Sequence, residues 1–229
     1  MKILSIDVSG QTLSIALLID ERLIEKEYPS GKNNSDSILP QIQSIMNDEN
    51  LDFKSLDGVA FGSGPGSFTG LRIAAGVAYG IAFANNLPIV GVNTLKALAK
   101  KTGAKFVISC IDARMSQLYI GAYQKINNVY TPIVKDGLYD PSDLPNINAK
   151  DPVLIGSGVE PYKKFLEEKY SAIGASCSKE DNILAGSIAK IAKDEFSEKF
   201  DLNKAELVYI RNKVADTLEE RKALKKKLK

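Results

Sequence analysis

Apolar and polar positions along the chain switch between two periods. Residues 2–7, 13–19 and 22–28 read as three strands. The first two are joined by the polar turn Val8-Ser-Gly-Gln11, in which Gly10 supplies backbone freedom. Ser30-Gly-Lys-Asn-Asn-Ser35 is loop chemistry, and from about Asp36 the period lengthens. Ile38, Leu39, Ile42, Ile45 and Met46 fall on one face of a 3.6-residue repeat, and Pro40 suits only the first turn of that helix. Residues 56–61 form a short apolar strand that runs into Gly62-Ser-Gly-Pro-Gly-Ser-Phe-Thr-Gly70 and then a helix over 71–84. No charge follows Arg72 in that helix, and residues 73–84 are apolar or small on every side, which predicts burial all round. Gly76, Gly80 and Ala84 recur every four residues, as do Ala74, Ala78 and Ala82, a spacing that lets another helix come close. The helix therefore reads as a core helix, an interface helix, or both on opposite faces. A strand over 87–92 and a helix over 94–101 close the first half.

The second half begins by repeating the first. The segment from Ile3 to Ala16 reappears 105 residues later, with identities at Ile3/Ile108, Ile6/Ile111, Asp7/Asp112, Leu13/Leu118 and Ile15/Ile120 and a small residue at Ala16/Gly121. Each copy reads as strand, Asp-led turn, strand, the mark of a duplicated unit. A hairpin-like stretch to Val134 follows, then a Pro/Asp-rich connection over 139–151 and a strand over 153–155 ending in Gly156-Ser-Gly158. Helices are expected over 161–168 and 183–200, a short strand over 171–175, and a basic helix after the segment 205–212. The pattern predicts an α/β chain with domains at 1–104 and 105–204 meeting at a cleft, followed by a C-terminal segment, 205–229. The Asp-led hairpin in both halves suits the actin-like ATPase architecture.

Composition narrows the chemistry. The 30 basic and 28 acidic side chains leave a net charge of +2, too small to grip nucleic acid along a whole face. The basic excess sits in the last nine residues, with Arg221, Lys222, Lys225, Lys226, Lys227 and Lys229 and no acid, which reads as a solvated tail or as an auxiliary phosphate contact. Cys110 lies inside an apolar run and reads as a core residue; with Cys177 it makes no disulfide framework. No apolar stretch reaches the ~20 residues of a membrane span, and the opening apolar run is too short for a signal peptide, so a cytoplasmic protein is expected. There is no histidine at all. Mechanisms of the Ser-His-Asp or Cys-His type and His-rich zinc sites are thereby excluded, while Lys, Asp, Glu and Tyr remain as acids and bases.

The glycine-rich loop is the sharpest local signal. Gly64, Gly66 and Gly70 keep the backbone open, Ser67 and Thr69 add hydroxyls, and Arg72 follows in the helix. Bare amides at a helix start favour anions, yet the loop lacks Gly-Lys-Ser/Thr and is no Walker P-loop. It reads either as a phosphate cradle or as a tight strand-to-helix turn in which Ser67 caps the helix and Arg72 pairs locally. Asp7 and Asp112 end core strands. They would hold a hydrated cation in an active ATPase, but they read at least as well as turn-formers, with Arg114 two residues from Asp112. Gly156-Ser-Gly158 reads as a strand-exit turn or the border of an adenine pocket.

Gly64-Pro-Gly-Ser-Phe-Thr-Gly-Leu-Arg72 resembles the signature of the TsaB (YeaZ) family. Ile6-Asp7, Ser35 with Leu39-Pro40, Gly91-Val92 with Thr94-Leu95, Ile111-Asp-Ala-Arg-Met115 and Val208-Tyr-Ile-Arg-Asn212 also fit, so the likeness covers the whole chain. One departure is Asn34, where the family often has a histidine. The resemblance implies a duplicated two-domain actin-like (ASKHA, ribonuclease H-like) fold. It implies a catalytically silent subunit in threonylcarbamoylation of adenosine 37 of ANN-decoding tRNAs. The implied partners are TsaD, which binds through the first two helices, and the ATPase TsaE, with tRNA reached through the complex and homodimers on the same surface. No cofactor of its own is implied, although a nucleotide at the partner interface is possible. On this resemblance Ile42, Met46, Ile73, Val77 and Ile81 are expected in the partner surface. The competing readings are an ATPase or kinase with its own nucleotide site, a glycoprotease, against which the missing histidines argue, and a direct tRNA-binding module, against which the balanced charge argues.

Overall fold

A computed structural model of the chain describes residues 1–29, 34–179, 184–196, 201 and 205–211. The expected basic helix falls outside these residues; of the helix expected over 183–200, residues 185–192 are helical and the described residues 193–196 are turn and irregular chain. Five strands make the first sheet: β1 (Lys2–Asp7), β2 (Thr12–Ile19), β3 (Arg22–Pro29), β4 (Gly58–Gly64) and β5 (Ile89–Asn93), in the order β3-β2-β1-β4-β5. The second sheet uses β6 (Phe106–Asp112), β7 (Leu118–Ile126), β8 (Val129–Tyr139), β9 (Val153–Ile155) and β10 (Ser176–Cys177) in the corresponding order β8-β7-β6-β9-β10. In each sheet the first three strands are antiparallel and the last two are parallel additions. The short strand expected at 171–175 is instead a 3₁₀ turn, Ser171–Ile173, with β10 just beyond it.

Helices α1 (Asn34–Asp48) and α2 (Phe68–Asn85) cover the outer face of the first sheet, and α4 (Lys163–Tyr170) covers the outer face of the second. Pro40 lies in the second turn of α1, beyond the position where its missing N–H is free of cost, and stays on the solvent side. The two remaining helices are exchanged. α3 (Thr94–Thr102) follows the first sheet but packs on β6, and α5 (Ala185–Ala192) follows the second sheet but packs on β1 and β2. Together they form a shared apolar layer between the sheets, with Leu95, Leu98, Ile188 and Ile191 meeting Ile3 and Val90 on one side and Val107 and Ile155 on the other.

Buried polar groups anchor these exchanged helices. Ser5 Oγ donates to Ala185 O at 2.7 Å, and Ser109 Oγ donates to Leu95 O at 2.7 Å. At the start of α5, Ala185 N donates to Ser14 Oγ and Gly186 N to Glu25 Oε1, so a carboxylate meets the positive end of the helix.

These contacts revise the repeat. Ser5 and Ser109 are the matched pair, which places β6 one residue out of step with the constant spacing read from the sequence. Leu4 and Ile6 face the outer core of the first half; Ile108 and Cys110 face the outer core of the second. β2 and β7 keep the constant spacing, since Ile6 pairs with Ile15 and Cys110 with Ile120. Leu13/Leu118 and Ile15/Ile120 are thus equivalent in space, whereas Ile3/Ile108, Ile6/Ile111 and Asp7/Asp112 are not. A slip of one residue in a strand turns the side chain to the other face.

Candidate functional site: an interdomain cleft and an open helix face

Asp7 is 3% exposed and lies beneath Gly62, where a built Cβ would stand 2.2 Å from its Oδ1. Burial pushes its carboxyl up to about 6. Hydrogen bonds from Ser9 Oγ (3.0 Å) and Ser9 N (3.3 Å) oppose the rise, and nearby Glu25 adds to it. Such a group gives up its proton less readily than an ordinary carboxylate, which weakens it as a cation ligand. Asp112 is closer to the cleft. It accepts from Arg114 N at 2.8 Å and Arg114 Nη1 at 3.2 Å, so it fixes its own turn and is neutralised by the arginine within it. Asp112 N donates to Ser157 Oγ, and Gly156 adopts φ +117° with Cys110 O against the place of its missing Cβ. Gly156-Ser-Gly158 is thus a tightly packed strand exit that also borders the cleft. These residues do not fit a metal–nucleotide complex of the actin-like ATPase kind. Among the described residues no three His, Cys, Asp or Glu side chains stand close enough to hold a metal ion.

The glycine-rich loop is spent on close packing. A Cβ on Gly70 would stand 1.9 Å from Val8 O, one on Gly66 2.6 Å from Ser9 O, and one on Gly64, at φ +109°, 2.8 Å from Val208 O. Ser67 caps α2 by accepting from Gly70 N, and its own amide donates to Ser9 O at 2.8 Å. Two amides that would meet an anion are therefore engaged already. Thr69 is exposed, and Arg72 stacks on Phe68 with 3.7 Å between guanidinium carbon and ring centroid.

Segment 205–211 runs through the cleft. Val208 N donates to Ser63 O at 2.8 Å, Tyr79 Oη donates to Ala205 O, and Tyr209 Oη accepts from Arg72 Nε at 3.3 Å. On the other side Arg211 Nη2 donates to Gln117 Oε1 at 2.9 Å, and Nη1 stands 2.8 Å from Met115 Sδ. Val208, Tyr209 and Ile210 line two cavities. One, of about 540 Å³, is bordered by Ser9, Gly66, Ser67, Asp112, Arg114 and Ser157. The other, of about 790 Å³, is bordered by Asn93, Lys96, Tyr123, Tyr130 and Asp136. In the second, Asp136 accepts from Tyr123 Oη at 2.6 Å and Asn93 Nδ2 at 2.7 Å, and burial raises its pKa. Sequence reading missed both the strap and this network. The strap's only local signal was Val208-Tyr-Ile-Arg, with apolar side chains and a terminal cation.

The outer face of α2 corrects two expectations. The helix is not buried all round. Ala74, Ala78 and Ala82 are fully buried, but Gly76, Gly80 and Ala84, two residues on and so about 200° away, face outward. A Cβ built on Gly76 or Gly80 meets nothing within 4 Å. Of the expected partner-surface residues, Ile42 and Met46 are fully buried under α1, and Ile81 is buried too. They belong to the core because their α1 and α2 faces pack on the sheet. Ile73 and Val77 are half-buried beside the open stripe, and Phe83, 78% exposed, lies on the same face of the helix.

Two five-stranded sheets of the same order, sharing exchanged helices across a cleft, define a duplicated α/β protein of the actin-like class. The profile of a family described as "TsaD: tRNA N6-adenosine threonylcarbamoyltransferase" matches residues 29–227. The Bacillus subtilis tRNA threonylcarbamoyladenosine biosynthesis protein TsaB is 37% identical over 73% of this chain and 76% of its own length. The Haemophilus influenzae protein of that name is 28% identical over 93% and 95%. The Escherichia coli one is 37% identical, over 56% of this chain and 57% of that protein. Pseudomonas aeruginosa YeaZ superposes with a TM-score of 0.78 at 28% identity, covering 91% of this chain and 99% of that one. The chain belongs to the TsaB family, within the wider family that the TsaD profile describes.

Proposed function

We propose that this chain serves tRNA threonylcarbamoyladenosine biosynthesis as a non-catalytic subunit that docks on a TsaD-type protein through the open face of α2. The observation that carries the reading is the uncharged stripe in which Gly76 and Gly80 lie open to solvent with the half-buried Ile73 and Val77 beside them. An exposed surface of this composition is completed by another protein. Its bare glycines would allow a partner helix to approach closely. The names of the relatives supply the pathway. The lack of any histidine and the neutralised or buried carboxylates support a role without chemistry of its own. TsaE completes the proposed assembly, and tRNA is reached through it.

Gly80→Glu is the cleanest test, because the new side chain meets open space and a helix tolerates it. Co-purification with TsaD should be lost, and tRNA modification in a mixture of this chain, TsaD, TsaE and threonylcarbamoyl-adenylate should fall to the level seen when this chain is omitted. Undiminished complex formation would remove α2 from the interface. ATP turnover by the purified chain alone would overturn the non-catalytic role.

A further inference from the structure

We propose that segment 205–211 is a built-in clamp: it lies in the interdomain cleft where a ligand would bridge the halves, and it holds them in one relative orientation. This inference does not depend on any partner. The strap is bound on both lips. On the first half it adds a backbone bond to Ser63 at the end of β4, takes the Tyr79 hydroxyl of α2 at Ala205 O, and lays Tyr209 beside Phe68, with ring centroids 6.0 Å apart. Gly64 is required there, since any side chain would strike Val208 O. Leu207 and Ile210 pack against the apolar clusters of the first half and of the shared layer, respectively.

On the second half the strap ends in the guanidinium of Arg211, which seizes the β6–β7 turn. Its Nη2 donates to Gln117 Oε1 and, at 3.4 Å, to Arg114 O, while Nη1 meets Met115 Sδ. That turn is strained. Arg114, Met115 and Ser116 stand at φ +59°, +52° and +58°, three successive non-glycine residues in the left-handed region. Strain of this kind persists only where the surroundings hold it. Among the described residues Arg211 Nε is buried with no hydrogen-bond partner, so the group reaches the turn at the cost of one donor. In folds that close around a ligand, closure requires differential contacts to both halves. Here the chain itself supplies those contacts, at the high effective concentration of a tethered segment.

The test compares the wild-type chain with Arg211→Ala, using hydrogen exchange and a distance between spin labels. The labels go on Gln11→Cys and Lys163→Cys, one on each half, in a Cys177→Ser background. Wild type should give one narrow distance and slow exchange at the Val208 and Gln117 amides. Arg211→Ala should broaden the distance and speed both amides at least tenfold, while β1 amides stay unchanged. If Arg211→Ala does not fold, Gln117→Ala and Arg211→Lys carry the same comparison, each removing part of the contact. Unchanged exchange at Gln117 would overturn the clamp. So would faster exchange of the strap alone with the label distance unaltered, because the strap would then be a passenger in the cleft.

Discussion

At the scale of single residues, Asp7 shows how burial decides the meaning of a carboxylate. Its native pKa near 6, against an ordinary value near 3.8, means that the folded state holds a proton the unfolded chain has released between those pH values. Stability must therefore fall as pH rises through that window and then level off, by about 3 kcal/mol for a shift of this size. Asp7→Asn removes the group that titrates. The variant should match or exceed wild-type stability at pH 7.5, with its advantage disappearing near pH 4, as read from urea midpoints at the two pH values. A constant difference across that range would refute the assignment. Gly70 gives a steric prediction. Gly70→Ala forces a methyl group against Val8 O and should cost about 1–3 kcal/mol in the same measurement, despite the better helix propensity of alanine. The sequence marked Gly70 as special but left open whether for an anion or for packing. Only the nearness of Val8 decided it.

Among elements, α2 was the most legible and the most misread. Its uncharged run, its start near the glycine-rich loop and its two small-residue stripes were visible as pattern. What the pattern could not contain was which stripe the sheet would cover, because both faces are equally apolar. The same ambiguity placed Ile42, Met46 and Ile81 on the wrong side of the surface: an apolar residue looks alike whether it faces a core or a partner. Gly80→Ala separates stability from docking. In an exposed helical position it should stabilise the isolated chain by about 1 kcal/mol, or about 2–4 °C in Tm for a chain this long, as measured by thermal denaturation. If α2 docks on TsaD as proposed, the added methyl group should also weaken that binding. A Tm that falls instead would mean that the glycine is needed for the fold of the monomer.

Across the whole molecule the exchange of α3 and α5 is the governing fact. Each sheet is completed by a helix from the other half, and Ser5 and Ser109 bind the exchanged carbonyls. Neither half can lose its helix without exposing the shared apolar layer, so the two sheets should melt together. Calorimetry should give a single transition with equal calorimetric and van't Hoff enthalpies; two resolved transitions would show that the halves are independent. From the sequence alone followed the α/β class, the duplication, the strand positions near Asp7 and Asp112, and the exclusion of histidine chemistry. These depend on residue identity and on short-range periodicity, which a linear chain carries in full. The one-residue slip between β1 and β6, the burial of Asp7, the outward stripe of α2 and the strap in the cleft were decided by tertiary structure. Each depends on which distant surface meets a given face, a relation between segments that no local pattern encodes.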